Sequence, residues 1–308
     1  MANLKISVSP HIHSGNSTAA IMRDVLISLA PATVAGCIIF GWRALLVLAV
    51  AVVSCVLFEF VYDLITKKER TVSDLSAAVT GLLLGLNLPA NIPIWQCVIG
   101  SLFAIVVVKC LFGGIGCNLV NPAITARVFM LVAFSSLAKA GEPIIVDSAA
   151  GATPLTQLYD GKMPKLLDLF LGTTGGAIGE TCAAALLIGF VYLLVRKVIT
   201  WHIPTLYVAT VFVLSLFMEG FDFGRALAMI LSGGLLIGAI FMATDYVTSP
   251  ATAWGKVIFS VGAGIITFLI RYFGVYPEGV SFAILFMNIL TPYIDVWTRH
   301  RVFGGKKA

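Results

Sequence analysis

The stretch Ser76-Ala-Ala-Val-Thr-Gly-Leu-Leu-Leu-Gly85 is a run of apolar and small residues that leads into the proline-containing break Asn87-Leu-Pro-Ala-Asn-Ile-Pro93. A similar run, Ser232-Gly-Gly-Leu-Leu-Ile-Gly238, is followed by the break Thr244-Asp-Tyr-Val-Thr-Ser-Pro250. Proline interrupts helices, and paired interrupted apolar helices are typical of membrane proteins that are built from two repeats. The two runs predict a membrane protein with one broken helix in each half.

Composition supports the same class of protein. Of 308 residues, 59% are hydrophobic and 11% are charged, and the mean hydropathy is +1.00. A soluble domain carries about 25% charged residues, so most of this chain is predicted to lie in lipid. A membrane-spanning helix needs about 20 apolar residues. Ten windows fit this requirement, some of them short or broken: 25–41, 44–62, 75–91, 93–112, 123–138, 177–195, 203–218, 224–243, 254–270 and 280–296.

The similar runs indicate an internal repeat of five spans. Gly81 and Gly234 are 153 residues apart, and Phe112-Gly113 precedes Phe273-Gly274 by 161 residues. Because five is odd, the second copy must enter the membrane upside down. We therefore expect an all-α polytopic membrane protein whose ten transmembrane helices form two inverted five-helix repeats with broken helices. The predicted parts are an N-terminal segment 1–24, a first repeat 25–138, a linker 139–176, a second repeat 177–296 and a tail 297–308.

Lysine and arginine residues predict the orientation. With ten spans both termini share one side, which then holds fourteen of the 20 basic residues. Positive residues are enriched in cytoplasmic loops, so both termini are expected in the cytoplasm and the linker 139–176 outside it.

Two other classes of protein are disfavoured. The basic residues form no run or stripe that follows a phosphate backbone, so nucleic acid is not an expected partner. The six cysteines include no Cys-x-x-Cys pair, so neither a disulfide framework nor a metal or iron–sulfur site is expected.

The linker contains Asp147-Ser-Ala-Ala150-Gly151-Ala152-Thr153. This segment resembles the flavinylation motif Asp-x-x-Ser/Thr-Gly/Ser-Ala-Thr, in which a dedicated transferase esterifies FMN to the final threonine. Ala150 departs from the motif. Thr156 is a second candidate hydroxyl three residues further on.

Five further segments carry a resemblance that covers essentially the whole chain. They are Ser9-Pro-His-Ile12, Ser73-Asp74 with the following run to Gly81, Gly113 to Arg127, Gly175 to Thr181, and Phe241-Met-Ala-Thr-Asp245. In order and spacing these segments are similar to the D subunits of the Rnf complex, which are related to the B subunits of the sodium-pumping NADH:quinone reductase.

The resemblance implies a subunit of a redox-driven ion pump that couples electron flow between ferredoxin and NAD to sodium or proton movement. Such a subunit is part of an oxidoreductase that acts as a translocase, and it is not catalytic alone. It would carry FMN on Thr153, with a second, non-covalent flavin (riboflavin or FMN) as in the related B subunit. The implied partners are the G, A, E and C subunits, membrane lipid and the flavin transferase, and the implied location is the bacterial inner membrane.

Six other polar residues are candidates for the flavin site, and each also has a simpler structural interpretation. Asp74 and Asp245 flank broken helices, where they either bind a ligand or cap a helix. Glu180 is expected in the first turn of span six, as a cap or a flavin ligand. Arg127 either pairs with a phosphate or snorkels to the surface, and it lies near the remaining candidates, Asn118 and Asn121.

Two alternative functions remain open from the sequence. Inverted five-span repeats also describe channels and carriers for small solutes, which need no flavin. A structural subunit that has lost its flavin is the other alternative. The sequence does not distinguish sodium from protons.

Overall fold

The computed structural model of the chain describes residues 17–67, 71–134, 153–274 and 279–299. Within these ranges the secondary structure is helical. The helices are α1 (Thr18–Phe40), α2 (Trp42–Thr66), a 3₁₀ turn (Val72–Asp74), α3 (Ser76–Leu86), α4 (Ile94–Leu102, continued by a π-helical segment, Phe103–Cys110), α5 (Pro122–Ala133), α6 (Pro154–Tyr159), α7 (Leu166–Leu171), α8 (Ala183–Val195), α9 (His202–Met218), α10 (Phe223–Leu231), α11 (Leu235–Ile237, continued by a π-helical segment, Gly238–Met242), α12 (Ala253–Phe273) and α13 (Val280–Thr298).

The helices confirm a multi-pass membrane protein. In the described part of the chain, α1, α2, α12 and α13 are long and apolar enough to cross a membrane. The pair α10 and α11 gives a fifth candidate span, with a bend of 64°. Five more apolar helices, α3, α4 with its π-helical segment, α5, α8 and α9, have 10–17 residues. Each of the ten predicted windows overlaps one of these elements, although the helix lengths alone support only four or five spans.

The break after α3 begins earlier than the sequence predicts. The apolar window extends to residue 91, but the helix ends at Leu86. The side chain of Asn87 donates to the carbonyl of Leu83 (2.7 Å), and its backbone N–H donates to Leu84 (3.0 Å). Pro89 and Pro93, which have no N–H, prevent a further turn. The window at 75–91 was therefore wrong at its end.

The predicted start of span six at residue 177 is also wrong, because α8 begins at Ala183. The preceding residues dock on the break after α3 instead of joining a helix. Ile178 donates its N–H to Leu88 (3.1 Å), and Gly179 donates to Leu86 (2.7 Å). An added Cβ on Gly179 would lie 2.6 Å from the Cβ of Leu86, so this approach requires glycine.

The described part of the predicted linker contains two short helices, α6 and α7. Leu155 and Leu169 bury their side chains there, and both helices contact α10. This part of the linker is therefore folded onto the second half, whereas the sequence indicated only a solvated loop.

The contacts between helices follow the same order in the two halves. In the first half, α2 contacts α3 and α4, and in the second, α9 contacts α10 and α12. Across the halves, α1 contacts α8 and α5 contacts α13. The first helices of the two repeats therefore contact each other, and so do the last helices. One hydrophobic core, from Leu29 to Ile294, extends through both halves.

We predict that Gly179→Ala destabilises the protein by about 1–3 kcal/mol, because the added methyl group overlaps buried Leu86. Chemical unfolding in detergent measures the effect. Gly262→Ala is the matched control, since its Cβ would meet only the flexible end of Met287. Equal stability of the two variants would contradict the docking of residues 176–180 on the α3 break.

Candidate functional site

A cavity of about 360 Å³ lies between the two halves. Most of its lining is apolar and comes from α1, α3, α8 and the segments that follow α4 and α11. Sites for small molecules in proteins typically have about 300–1,000 Å³, apolar walls and a few polar groups. The apolar lining residues include Met22, Val25, Val79, Leu83, Leu193 and Phe241, and the polar ones include Ser76, Lys109, Asn118, Asn121, Thr244 and Asp245.

Both π-helical segments border this cavity. In the first, Leu111 donates its N–H to Val106 (3.0 Å), and in the second, Ala243 donates to Gly238 (2.8 Å). These bonds join residues five apart and give a wider turn than the α-helix has. They hold Lys109 and Phe241 in the cavity wall. π-Helical turns are frequent at functional sites.

Three residues that the sequence singled out line the cavity: Asn118, Asn121 and Asp245. Asn121 caps α5, because its Oδ1 accepts from the N–H groups of Ala123 (3.0 Å) and Ile124 (3.3 Å). Its Nδ2 donates to the carbonyl of Met242 at the end of the broken helix (3.3 Å). Asn121 therefore links the two halves at the cavity wall. The Nδ2 of Asn118 donates locally, to the carbonyl of Val120 (3.2 Å).

Asp245 lies in the loop after α11, outside the helices. Its Oδ2 accepts from the hydroxyl of Thr248 (3.1 Å). Burial raises the pKa of the Asp245 carboxyl, and the hydrogen bonds from Thr248 and Val247 oppose the shift. Asp245 therefore retains a proton to higher pH than an exposed aspartate does.

Arg127 and Glu180 form a buried ion pair at 3.7 Å, with 5% of each side chain exposed. Arg127 also donates to Oδ1 of Asn87 in the α3 break. Its interpretation as a snorkelling residue was wrong, because it is buried in the middle of α5. The prediction of Glu180 in a first helical turn was also wrong, since Glu180 precedes α8 and its Oε1 accepts from the N–H of Ala177 (2.9 Å).

The ion pair connects α5 to the predicted attachment threonine. Arg127 is six residues along α5 from Asn121, which corresponds to about 9 Å. Its partner Glu180 lines a polar recess of about 10 Å³ together with Thr153, Thr181 and Gly233. The recess has room for about one water molecule. The recess and the cavity are therefore separate, since they share no lining residue.

Thr153 has the extended backbone that the following proline predicts, with φ −63° and ψ 153°. It caps α6, because its hydroxyl accepts from the N–H of Thr156 (3.3 Å). The hydroxyl of Thr156 donates to the carbonyl of Thr153 (2.7 Å). The two candidate hydroxyls are therefore neighbours. The other motif residues, Asp147, Gly151 and Ala152, lie outside the described residues.

Asp74 stabilises the start of α3. Its Oδ1 accepts from the N–H (2.8 Å) and the hydroxyl (2.5 Å) of Ser76. This geometry fits the capping interpretation, and Asp74 does not line the cavity. Its contact with Ser76, which lines the cavity, links it to the cavity wall.

Lys109 and Glu59 were missed as a pair. The Nζ of Lys109 lies 2.9 Å from both oxygens of Glu59 and 2.5 Å from the hydroxyl of Ser76. The sequence contained a signal, because each residue falls within a predicted apolar window and a charge inside the membrane needs a partner.

The burial of Lys109, Arg127 and Arg271 changes the count of basic residues in loops, because these three do not lie in exposed loops. Twelve basic residues then remain on the side of the termini and five on the other, so the asymmetry persists.

Arg271 was also missed as an internal residue. It is buried near the end of α12 and donates to the carbonyls of Met229 (2.6 Å) and Ser232 (3.1 Å). These carbonyls end α10 at the bend, where a positive charge is favourable.

Comparison with known proteins shows full-length similarity. Residues 5–304 match the family model described as the NQR2, RnfD, RnfE family. The D subunit of the Na(+)-translocating ferredoxin:NAD(+) oxidoreductase complex of Acetobacterium woodii is 46% identical, over 99% of this chain and 96% of the relative. The D subunit of the proton-translocating ferredoxin:NAD(+) oxidoreductase complex of Clostridium ljungdahlii is 40% identical, over 98% and 96%. The D subunit of the ion-translocating oxidoreductase complex of Halorhodospira halophila is 36% identical, over 97% and 95%.

We predict that Arg127→Met destabilises the protein by about 3–5 kcal/mol, because the buried carboxylate of Glu180 then loses its ion pair with Arg127. Adding Glu180→Gln should restore most of the loss. Unfolding in detergent, followed by tryptophan fluorescence, measures both variants. Arg196→Met should have little effect, because its side chain is 54% exposed in its pair with Asp24. A similar loss in the Arg127 and Arg196 variants would contradict the assignment of a buried pair.

Proposed function

Because this chain belongs to the NQR2, RnfD, RnfE family, we propose that it is the D subunit of a redox-driven ion pump that transfers electrons between ferredoxin and NAD. The observation that carries this proposal is the presence of two separate sites in a chain of this family, a ring-sized cavity and a recess lined by Thr153. Two such sites would hold two redox groups.

Covalent FMN on Thr153 is the first cofactor that we propose. The half-buried hydroxyl lies at the start of α6 on extended backbone, and its weak cap bond of 3.3 Å leaves it accessible to a transferase. Such a flavin supplies one- and two-electron chemistry that no side chain provides. Glu180 and Thr181 line the recess beside Thr153 and are the residues of this chain that would face the attached group.

The cavity fits a second flavin, held without a covalent bond. Its volume and apolar walls suit a flat aromatic ring, and Asn118 and Asn121 supply amide groups for the polar edge of the ring. Asp245 supplies a carboxyl group from the second half. Riboflavin and FMN share the ring that these residues would bind.

The pattern of contacts between the helices of the two halves supports an inverted repeat with ten crossings. First elements meet at the α1–α8 contact and last elements at the α5–α13 contact, as a twofold axis between the halves requires. An eleven-residue helix such as α3 is about 16 Å long, roughly half the hydrocarbon thickness. We propose that α3 and α4, and likewise α10 and α11, meet near the membrane centre. The charge asymmetry supports termini in the cytoplasm of a bacterium whose inner membrane holds the complex.

Partner subunits are needed to supply electrons to this chain. The sequence has neither a cysteine cluster for iron–sulfur groups nor a nucleotide-binding glycine motif, so electrons must arrive from other subunits. We propose the G, A, E and C subunits as neighbours and a flavin transferase during maturation. Two similar relatives are named for Na(+) and for proton translocation, so membership of the family does not select the ion.

We predict that Thr153→Val abolishes the flavin fluorescence that survives a denaturing gel. Valine keeps the shape of the side chain but removes the nucleophile. The matched control is Thr156→Val, which should keep the fluorescence. Mass spectrometry of the linker peptide locates the adduct. An adduct that depends on Thr156 would contradict the register of the motif, and its absence from the native complex would favour a carrier or a structural subunit.

We also predict that an impermeant maleimide on intact cells labels Lys162→Cys and does not label Arg299→Cys. Both positions are exposed, and the proposed topology places them on opposite sides of the membrane. The background replaces Cys117, an exposed native cysteine, with serine. Labelling of Arg299→Cys alone would reverse the orientation, and labelling of both would contradict the number of crossings.

A further inference from the structure

Among the described residues that line the cavity, Lys109 is the single cation. It lies on the π-helical segment of α4, with 4% of its side chain exposed. Asp245, from the second half, is the one anion of this lining. The cavity wall therefore contains one basic side chain from the first half and one acidic side chain from the second.

The position of the Lys109 ammonium is fixed by three hydrogen bonds. Two reach the oxygens of Glu59 at 2.9 Å, and one reaches the hydroxyl of Ser76 at 2.5 Å. An ammonium group has three N–H donors, so these bonds use all of them. Lys109 therefore acts on a bound molecule through space, as a fixed charge, and is not a hydrogen-bonding ligand.

Glu59 belongs to a network that continues away from the cavity. Its Oε1 accepts from the hydroxyl of Thr71 (2.7 Å), which also lies 3.2 Å from Oδ2 of Asp63. Asp74 is joined to Lys109 through Ser76. None of these three acids lines the cavity. Lys109 is therefore the charged member of this network that lines the cavity, and the acids behind it reduce its field, because Coulomb energy falls with distance.

We propose that Lys109 stabilises the reduced, negatively charged state of the flavin in the cavity, and that Glu59 sets the strength of this effect. The proposal rests on the proposed function. A neutral oxidised flavin ring that gains two electrons and one proton retains one negative charge, and partner subunits supply the electrons. Lys109 favours that charge, so it raises the reduction potential. It is a positioning residue that tunes the cofactor, not a catalytic residue.

The test is the midpoint potential of the non-covalent flavin. It is measured by spectroelectrochemistry on the purified full-length chain in lipid nanodiscs. All variants carry Thr153→Val, so that a covalent flavin does not overlap the signal. Glu59→Gln should raise the potential and Lys109→Gln should lower it. We expect about a tenfold change in the ratio of affinities for the reduced and oxidised states, which is about 30 mV for a two-electron couple.

Three further variants separate charge from structure. Lys109→Arg keeps the charge, and its midpoint potential should stay near that of the parent chain, which carries Thr153→Val alone. The double variant Lys109→Gln/Glu59→Gln should also return toward the parent value, and it supplies the test if the single Lys109→Gln chain does not fold. Glu219→Gln is the control and should leave the potential unchanged, because its ion pair with Arg225 joins α9 and α10 and does not line the cavity.

Opposite shifts in the two single variants support the proposal, since a purely structural role would not change the sign. Shifts in the same direction, or no shift while flavin remains bound, overturn it and leave the proposed function intact. If denaturation of the parent chain releases no flavin, the proposed occupant of the cavity is wrong, and this inference is overturned with it.

Discussion

Hydrogen bonds made at the interruptions of helices hold this structure together. Inside a membrane no water satisfies backbone groups that a helix break exposes, so other parts of the protein must do so. The carbonyl of Leu86 accepts from Gly179, and the carbonyl of Met242 accepts from Asn121. Arg271 binds the carbonyls at the end of α10. Two of these contacts join the first half to residues beyond the linker, so the breaks themselves set how the halves meet.

The same contacts explain why chemistry is possible at this interface. A buried ion pair costs desolvation energy and contributes little net stability, so Arg127 and Glu180 are poor choices for packing alone. They lie where the α3 break, α5 and the residues before α8 converge. The cavity and the Thr153 recess are separate sites within this arrangement. They are the two places at which we propose that flavins bind.

Local pattern predicted the helices well and the tertiary contacts poorly. Apolar windows located the helices because burial in lipid demands apolar runs, and Pro154 predicted the backbone of Thr153. Glu180 was misplaced because its segment is shaped by the distant Leu86 and Leu88, which no local signal reveals. Lys109 and Glu59 are 50 residues apart, and their pairing follows only from the rule that charges inside a membrane need partners. Side chains from distant segments form the cavity, and of its lining residues the sequence predicted three polar ones, Asn118, Asn121 and Asp245.

The most direct measurement of the central claim is the flavin content of the purified wild-type chain in two fractions, one released by denaturation and one retained on the polypeptide. The account predicts about equal amounts in the two fractions, since it proposes one flavin in the cavity and one on Thr153. A chain that retains its covalent flavin but releases none would contradict the assignment of the cavity. A chain without flavin in either fraction would contradict the electron-carrying role.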